Sequence, residues 1–440
     1  MRVTLLHTND IHGRIDGLAR VATLVERVRE ETPHRVVYVD AGDVEETTTR
    51  LSNLTKGVAM HRLLSAVGCE VAAVGNAAWL RYGPQVIAEH ARAASYPLLL
   101  ANLAPVEGVR ETALIDGVGF VGVTDPFRSF LDGGLYGLRA LDEVESVRQG
   151  ARAVRAQGAA IIVCLSHLGY RRLDEPDTTV TIDPELAKLV QGEVDIIVGA
   201  HSHDVLPEGE RVGAVTIAQA GCFAEHLGRI DVVDGEICAS LIEVTEDVPQ
   251  HPRVLAAIAE AECDLDASLD EVIGELEEPL DAQWIAEILR TRMEAEVGLA
   301  TSAVVLDRPL PPGPLRRRDL WEACHSTANP GVVELTGAQL AQMLERGRDP
   351  EFQQTTTRAL RGRPRGPLHV AGLQALEPGR AYRVAATDFE LEHYGGIVEA
   401  DWRLDVRYDF PTIIREAIEE HLADRMVGRV GGGGGQATTR

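Results

Sequence analysis

The sequence predicts an α/β fold, on two kinds of observation. Short, near-continuous apolar runs recur along the first 245 residues, and helical stretches separate them, as in Val36-Val37-Tyr38-Val39 followed by the helical Gly57–Ala66. Strands apolar on both faces belong to sheets covered by helices. The second observation is where the polar residues fall. The run Val3-Thr4-Leu5-Leu6 leads into Asn9-Asp10-Ile11-His12-Gly13, and Val36–Val39 leads into Asp40-Ala41-Gly42-Asp43. Val71–Val74 leads into Gly75-Asn76, Leu98–Leu100 into Ala101-Asn102, and Val118–Val123 into Thr124-Asp125-Pro126. Ile161–Leu165 leads into Ser166-His167, and Ile196–Val198 into Gly199-Ala200-His201-Ser202-His203. Ligands gather at the carboxyl ends of strands in such folds.

At 440 residues the chain exceeds one ordinary core, so two domains are expected. The boundaries read as 1–245 for a first domain, 246–274 for a connector containing the helical 250–272, 275–430 for a second α/β domain, and 431–440 for a flexible tail opened by Gly431–Gly435. In the second domain, Gln283–Glu296, Gly337–Glu345 and Thr412–Ala423 read as helices. Ala303–Leu306, Val332–Leu335 and Tyr382–Ala386 read as strands.

The net charge of −25 argues against nucleic-acid polymers and anionic membranes as partners, and leaves a small anionic substrate open if a metal reverses the local field. No run reaches the roughly 18–20 apolar residues of a membrane span. No signal peptide precedes the first strand, and the six scattered cysteines form no CxxC pair. Both point to a cytoplasmic setting with reduced, buried thiols.

The strand ends supply two carboxylates (Asp10, Asp43), four imidazoles (His12, His167, His201, His203) and one amide oxygen (Asn76). One histidine after an apolar strand is more often a packing residue, and Gly-Asp or Gly-Asn is usually a turn. Recurrence at five strand ends, with His-Ser-His at one of them, favours a pair of divalent metals. Such a pair lowers the pKa of a bridging water and clamps phosphoryl oxygens during in-line attack. His7, inside its strand, is expected in the core or beside the ligands.

On these residues the chain resembles the 5′-nucleotidase/UDP-sugar hydrolase family of two-domain calcineurin-like metallophosphoesterases. The N-terminal matches are Leu6-His7-Thr8-Asn9-Asp10-Ile11-His12, Asp40-Ala41-Gly42-Asp43, Gly75-Asn76, Ser166-His167, Gly199-Ala200-His201-Ser202-His203 and Gln219-Ala220-Gly221 with Leu227-Gly228-Arg229. The later half matches through Asn329–Leu340 and Val370-Ala371-Gly372-Leu373 with Tyr382-Arg383-Val384. The resemblance implies a four-layer αββα metallophosphoesterase domain followed by a smaller α/β nucleotidase C-terminal domain that contacts substrate. It implies a hydrolase that attacks nucleotides or other small phosphate esters with metal-bridged hydroxide. One metal would sit on Asp10, His12, Asp43 and His203, and the other on Asp43, Asn76, His167 and His201, with Asp43 bridging. Mn²⁺ is the first expectation; Zn²⁺, Fe and Mg²⁺ suit the same donors.

The departures are specific. The family's Gly-Asn-His-Glu reads Gly75-Asn76-Ala77-Ala78 here, and its aspartate partner falls at Leu80 or Arg81. Loss of that imidazole is expected to cost about 10²–10⁴-fold on a poor leaving group. Arg81, His61 and Arg14 are candidate replacements, and Asn76 stays as ligand and catalytic residue. Two adjacent alanines also suit a deliberate inactivation or a metal-binding relative without turnover. A phosphodiesterase or a sulfur-ester hydrolase of the same fold is the further alternative. The family's substrate loop reads Val304–Leu310, where only Arg308 offers a cation, and its late aromatic motif reads His393-Tyr394-Gly395-Gly396-Ile397, where Tyr394 is the stacking candidate. The basic groups Arg316-Arg317-Arg318 and Arg358, Arg361, Arg363, Arg365 read first as solvated surface, and alternatively as an anion-collecting rim.

Overall fold

The computed structural model describes residues 1–128, 131, 134–172, 180–356, 363–399 and 401–431, without the side chains of Tyr394 and 425–431. The chain forms two compact units, Met1–Leu265 and Asp266–Arg440, and the helix Pro252–Leu269 runs across the division.

In the first unit the apolar runs become strands of two six-stranded sheets. One has the order Glu236–Glu243, His226–Val233, Arg2–Thr8, Arg35–Asp40, Val71–Ala73, Leu98–Leu99, and its last four strands run parallel. The other has the order Glu210–Val212, Val215–Ala218, Ile196–Gly199, Ile161–His167, Val118–Thr124, Thr112–Ile115, with the middle four parallel. A shared core joins Val3, Leu5, Val37, Val39 and Val71 of the first sheet to Phe120, Val163, Leu165, Ile196 and Val198 of the second. Helices close both outer faces. Ile15–Glu31 turns Leu18, Val21, Val25 and Val28 inward on one side, and Glu143–Ala156 and Asp183–Leu189 pack Val147, Val154 and Leu186 on the other. The layers therefore read helix, sheet, sheet, helix. Because the central strands of each sheet are parallel, their carboxyl ends lie on one edge per sheet, and every candidate ligand follows such an end.

The second unit has a five-stranded mixed sheet ordered Leu368–Ala371, Val297–Thr301, Ala381–Thr387, Pro330–Thr336, Arg407–Tyr408, with separate apolar clusters built on Ile285, Leu289 and Ile414 and on Leu335, Leu340 and Val384. The predicted strands Val332–Leu335 and Tyr382–Ala386 lie within observed ones. Ala303–Leu306 does not: the strand is Val297–Thr301, and Ser302–Val305 is a short helix. Burial of Val304 and Val305 against the cluster outweighs the β preference of two adjacent valines. The predicted tail lies outside the described residues beyond Gly431.

His7 takes the core position expected of it. Its ring is fully buried opposite Gly228, where a Cβ would fall 2.0 Å from Nε2, so glycine there makes the room. Among the described residues neither ring nitrogen has a hydrogen-bond partner, and burial pushes its pKa from 6.5 down to about 4. The unfolded chain therefore binds a proton that the native ring refuses. Its contribution is fully present above about pH 6.5 and is lost as pH falls toward 4, by up to about 3 kcal/mol. Denaturant unfolding of His7→Leu should show a flatter stability profile between those two pH values than the parent chain.

Candidate metal centre

The site forms at the two carboxyl edges of the first unit. Asp10 and His12 follow Arg2–Thr8, Asp43 follows Arg35–Asp40, and Asn76 opens the helix Asn76–Tyr82 after Val71–Ala73. From the second sheet, His167 ends its strand and His201 and His203 follow Ile196–Gly199. The turns are tight. Asp10, His12, Asp43, His201 and His203 all hold left-handed backbone, with φ of 48°, 46°, 57°, 69° and 58°. Backbone bonds lock the first two loops together: Asp10 N–H donates to Gly42 O at 2.9 Å and His12 N–H to Asp43 O at 3.0 Å. Asp40, buried and pushed up to about 7 by that burial, accepts from Thr8 Oγ1 at 2.6 Å and from Gly42 N–H at 2.9 Å, and so shapes the turn that presents Asp43.

The ring orientations decide what the site can hold. His167 Nδ1 lies 2.9 Å from Ala41 O. A carbonyl only accepts, so Nδ1 carries the hydrogen and Nε2 of the neutral ring presents a lone pair. That lone pair faces Asn76 Oδ1 at 3.1 Å, Asp43 Oδ2 at 3.3 Å and Asp10 Oδ1 at 3.8 Å. Nearby, His12 Nε2 and His203 Nε2 approach to 3.1 Å, both within 3.7 Å of the same Asp10 oxygen. Lone pairs converging this way need a cation. With no ion bound the need falls on protons: burial disfavours the His167 imidazolium, but Asp43 and Asp10 outweigh it and raise the ring to about 10. His203, opposed by burial, is likewise raised to about 10 by Asp10 and Cys222. The described donors form two groups, Asp10 with His12 and His203, and Asp10 with Asp43 and His167, so Asp10 is common to both. The donor set, imidazole with carboxylate and amide oxygen, fits divalent first-row metals.

The other predicted residues are placed as follows. Ala77 is buried and its N–H donates to Asp43 Oδ1 at 2.8 Å. Arg81 is exposed on the last turn of the same helix. His61 belongs to a separate buried group with Glu45 and His90. Arg14 lays its guanidinium 4.8 Å from the centre of the Phe223 ring, which neighbours both His12 and His203. Arg308, in the second unit, is half exposed and 3.7 Å from Glu322. The Tyr394 side chain, with Arg358 and Arg361, lies outside the described residues. Of the basic clusters, Arg317 pairs with Glu419 and Glu271, Arg318 with Asp266 and Asp270, and Arg363 with Asp307, while Arg365 is buried between Phe352 and Phe389.

Three residues at the site escape the strand-end reading. Asp125 sets Oδ2 3.4 Å from His201 Nε2 while Oδ1 accepts from Phe127 N–H at 2.8 Å. Its signal was available, since it follows an apolar strand as the ligands do. Phe223 borders two histidines from a loop with no such pattern. Asn9 is fully engaged: its amide donates to Asp10 Oδ2 at 2.8 Å and Gly221 O at 2.6 Å, and its oxygen accepts from Ala220 N–H at 3.0 Å.

Residues 266–400 match the family described as 5′-nucleotidase, C-terminal domain. The chain is 26% identical over 404 residues to the uncharacterized metallophosphoesterase YunD of Bacillus subtilis, covering 85% of this chain and 84% of that one. It is 25% identical to bovine 5′-nucleotidase over 62% of this chain but only 54% of that protein's length. In fold it is similar to a 5′-nucleotidase precursor from Thermus thermophilus (TM-score 0.56, 20% identity, 97% of each chain) and to the NAD nucleotidase of Haemophilus influenzae (TM-score 0.61, 14% identity, 97% and 96%).

Asn9→Ala strands the Gly221 carbonyl and the Ala220 N–H in the interior. A loss of about 2–6 kcal/mol in unfolding free energy is expected, from two buried groups at 1–3 kcal/mol each, and chemical denaturation measures it.

Proposed function

We propose that this chain, a relative of the two-domain 5′-nucleotidase metallophosphoesterases whose C-terminal domain it shares over residues 266–400, is a metal-dependent hydrolase of nucleotides or other small phosphate esters. The observation that carries the reading is the convergence of His167 Nε2 with oxygens of Asp10, Asp43 and Asn76, beside the facing His12 and His203. Asp10, His12 and His203 would hold one ion, and Asp43, Asn76, His167 and His201 the other, with Asp10 or Asp43 reaching both. Manganese is the ion to try first. When bound, the ions supply Lewis acidity toward a phosphoryl oxygen and a water acidic enough to ionise near neutral pH.

The chain's own residues do the rest. Ala77 N–H fixes one Asp43 oxygen and leaves the other for the site. Asp125 sets Oδ2 3.4 Å from His201 Nε2 and would orient that ring toward an ion. Trp79 and Phe127 pack edge to face, and Phe127 meets the His201 ring, so one wall of the site is dry. Arg14, held over the Phe223 ring that borders His12 and His203, would offer a positive charge to a bound phosphoryl group.

Position 77 sets the chemistry. An imidazole there would assist departure of a poor leaving group, and Ala77 has none to offer. An aryl phosphate with a stable phenolate needs no such help. Protein reconstituted with Mn²⁺ should therefore hydrolyse an activated aryl phosphate faster than a nucleoside monophosphate, and a chelator should abolish both activities. Two bound ions with no turnover on either substrate would overturn the enzyme reading and leave a metal-binding relative, the second reading that Ala77 favours. Ala77→His with Ala78→Glu should raise the rate on the nucleotide by about 10²–10⁴-fold. Asp125→Asn should weaken metal affinity by about 10–100-fold in competition with a chromophoric chelator.

A further inference from the structure

Outside this centre the first unit buries a second convergent group that the proposed reaction does not use. Glu45 lies in the loop after Arg35–Asp40, His61 on the helix Val58–Val67, and His90 on the helix Gln85–Ala93, and all three are at most 4% exposed. Both rings point at one oxygen: His61 Nε2 is 2.7 Å and His90 Nδ1 3.1 Å from Glu45 Oε1. The far nitrogens are already occupied. His90 Nε2 is 2.6 Å from Lys56 O, and His61 Nδ1 is 2.8 Å from Tyr96 Oη.

The hydrogen inventory of His90 makes the point. Lys56 O only accepts, so Nε2 carries the hydrogen and the neutral ring aims a bare lone pair from Nδ1 at a carboxylate oxygen. Two lone pairs 3.1 Å apart in a dry interior require a cation between them, either a proton or a metal ion. Three features favour the metal. The third donor, His61, converges on the same oxygen. Each ring is oriented through its outer nitrogen, as proteins orient ligating histidines. The inward spacings of 2.7 and 3.1 Å need widen by about 0.6 and 0.2 Å to reach the separation of about 3.3 Å between donors on tetrahedral zinc.

We propose that Glu45, His61 and His90 form a third metal site, structural in role, taking a zinc-class divalent ion. It is closed to substrate. Gly57, at φ 82°, crosses the cluster so closely that a Cβ would fall 2.4 Å from Glu45 Cγ and 2.8 Å from His90 Nε2. The ion would tie the loop that presents Asp43 to two helices of the outer layer.

The test is metal content on the full chain, loaded with Zn²⁺ and freed of excess. With the catalytic centre emptied by Asp10→Asn and His167→Asn, about one equivalent per chain should remain, and Zn²⁺ should raise the melting temperature. Adding His90→Gln should remove both effects, and His90→Gln in the otherwise unchanged chain should lower the content by about one equivalent. An emptied chain that holds no ion while its Glu45 cluster is intact overturns the proposal and leaves an imidazolium–carboxylate pair. Should the emptied variant not fold, anomalous scattering at the zinc edge from a soaked crystal of the unaltered chain decides: a peak among the three side chains supports the site, and none overturns it. Neither result depends on turnover, so this site and the phosphoesterase reading stand or fall separately.

Discussion

Two carboxylates removed from water at the meeting edge of two sheets govern the first unit. Asp10 is fully buried and Asp43 nearly so, and among the described residues no lysine or arginine contacts either. An isolated buried carboxylate costs several kcal/mol, so positive charge must reach both. Around them the fold supplies imidazoles, which take protons when no ion is bound and give them up when one binds. Much of the surrounding structure reads as a consequence. Asn9 and the His201 N–H brace Asp10, Ala77 N–H braces Asp43, and the left-handed turns aim the side chains into one volume.

How much of this was legible in the sequence depends on range. The strands were legible because parallel sheets buried on both faces demand uninterrupted apolar runs, and the clustering of the candidate ligands because they lie at the ends of those runs. The pairing of oxygens with rings was not. Spacing within a strand end says nothing of which oxygen meets which ring far along the chain, and among the described residues Asp10 approaches His12, His203 and His167 alike. Asp125 shows a different limit. It obeys the strand-end rule, but Thr-Asp-Pro is also an ordinary turn, and only its distance to His201 separates the two. The Ala303–Leu306 segment shows a third, since a run of four residues carries too little periodicity to compete with tertiary burial.

The second unit illustrates why a run of like charges is a poor guide. Arg316-Arg317-Arg318 could be read as a collecting surface. In the fold, Arg317 and Arg318 are met by Glu419, Glu271, Asp266 and Asp270, so their charge is spent in joining elements of one unit. Arg365 goes further into the interior, flanked by two phenylalanine rings, with Thr355 Oγ1 as an acceptor at 2.7 Å. An acidic chain can satisfy most of its arginines internally, and little of the basic count is left to advertise a ligand.

The left-handed turns bear on how such a site is kept or lost. A non-glycine residue in that region costs about 1–2 kcal/mol that glycine would not. Five of the seven predicted metal ligands carry that load, so for folding alone drift toward glycine would be a gain at each of them. Asp and His at such positions point to a duty of the side chain that glycine could not perform. Position 77 stands on the opposite slope. It lies in an ordinary helix, where alanine is the most favourable residue, so exchanging an imidazole for a methyl there carries no backbone cost and a small gain.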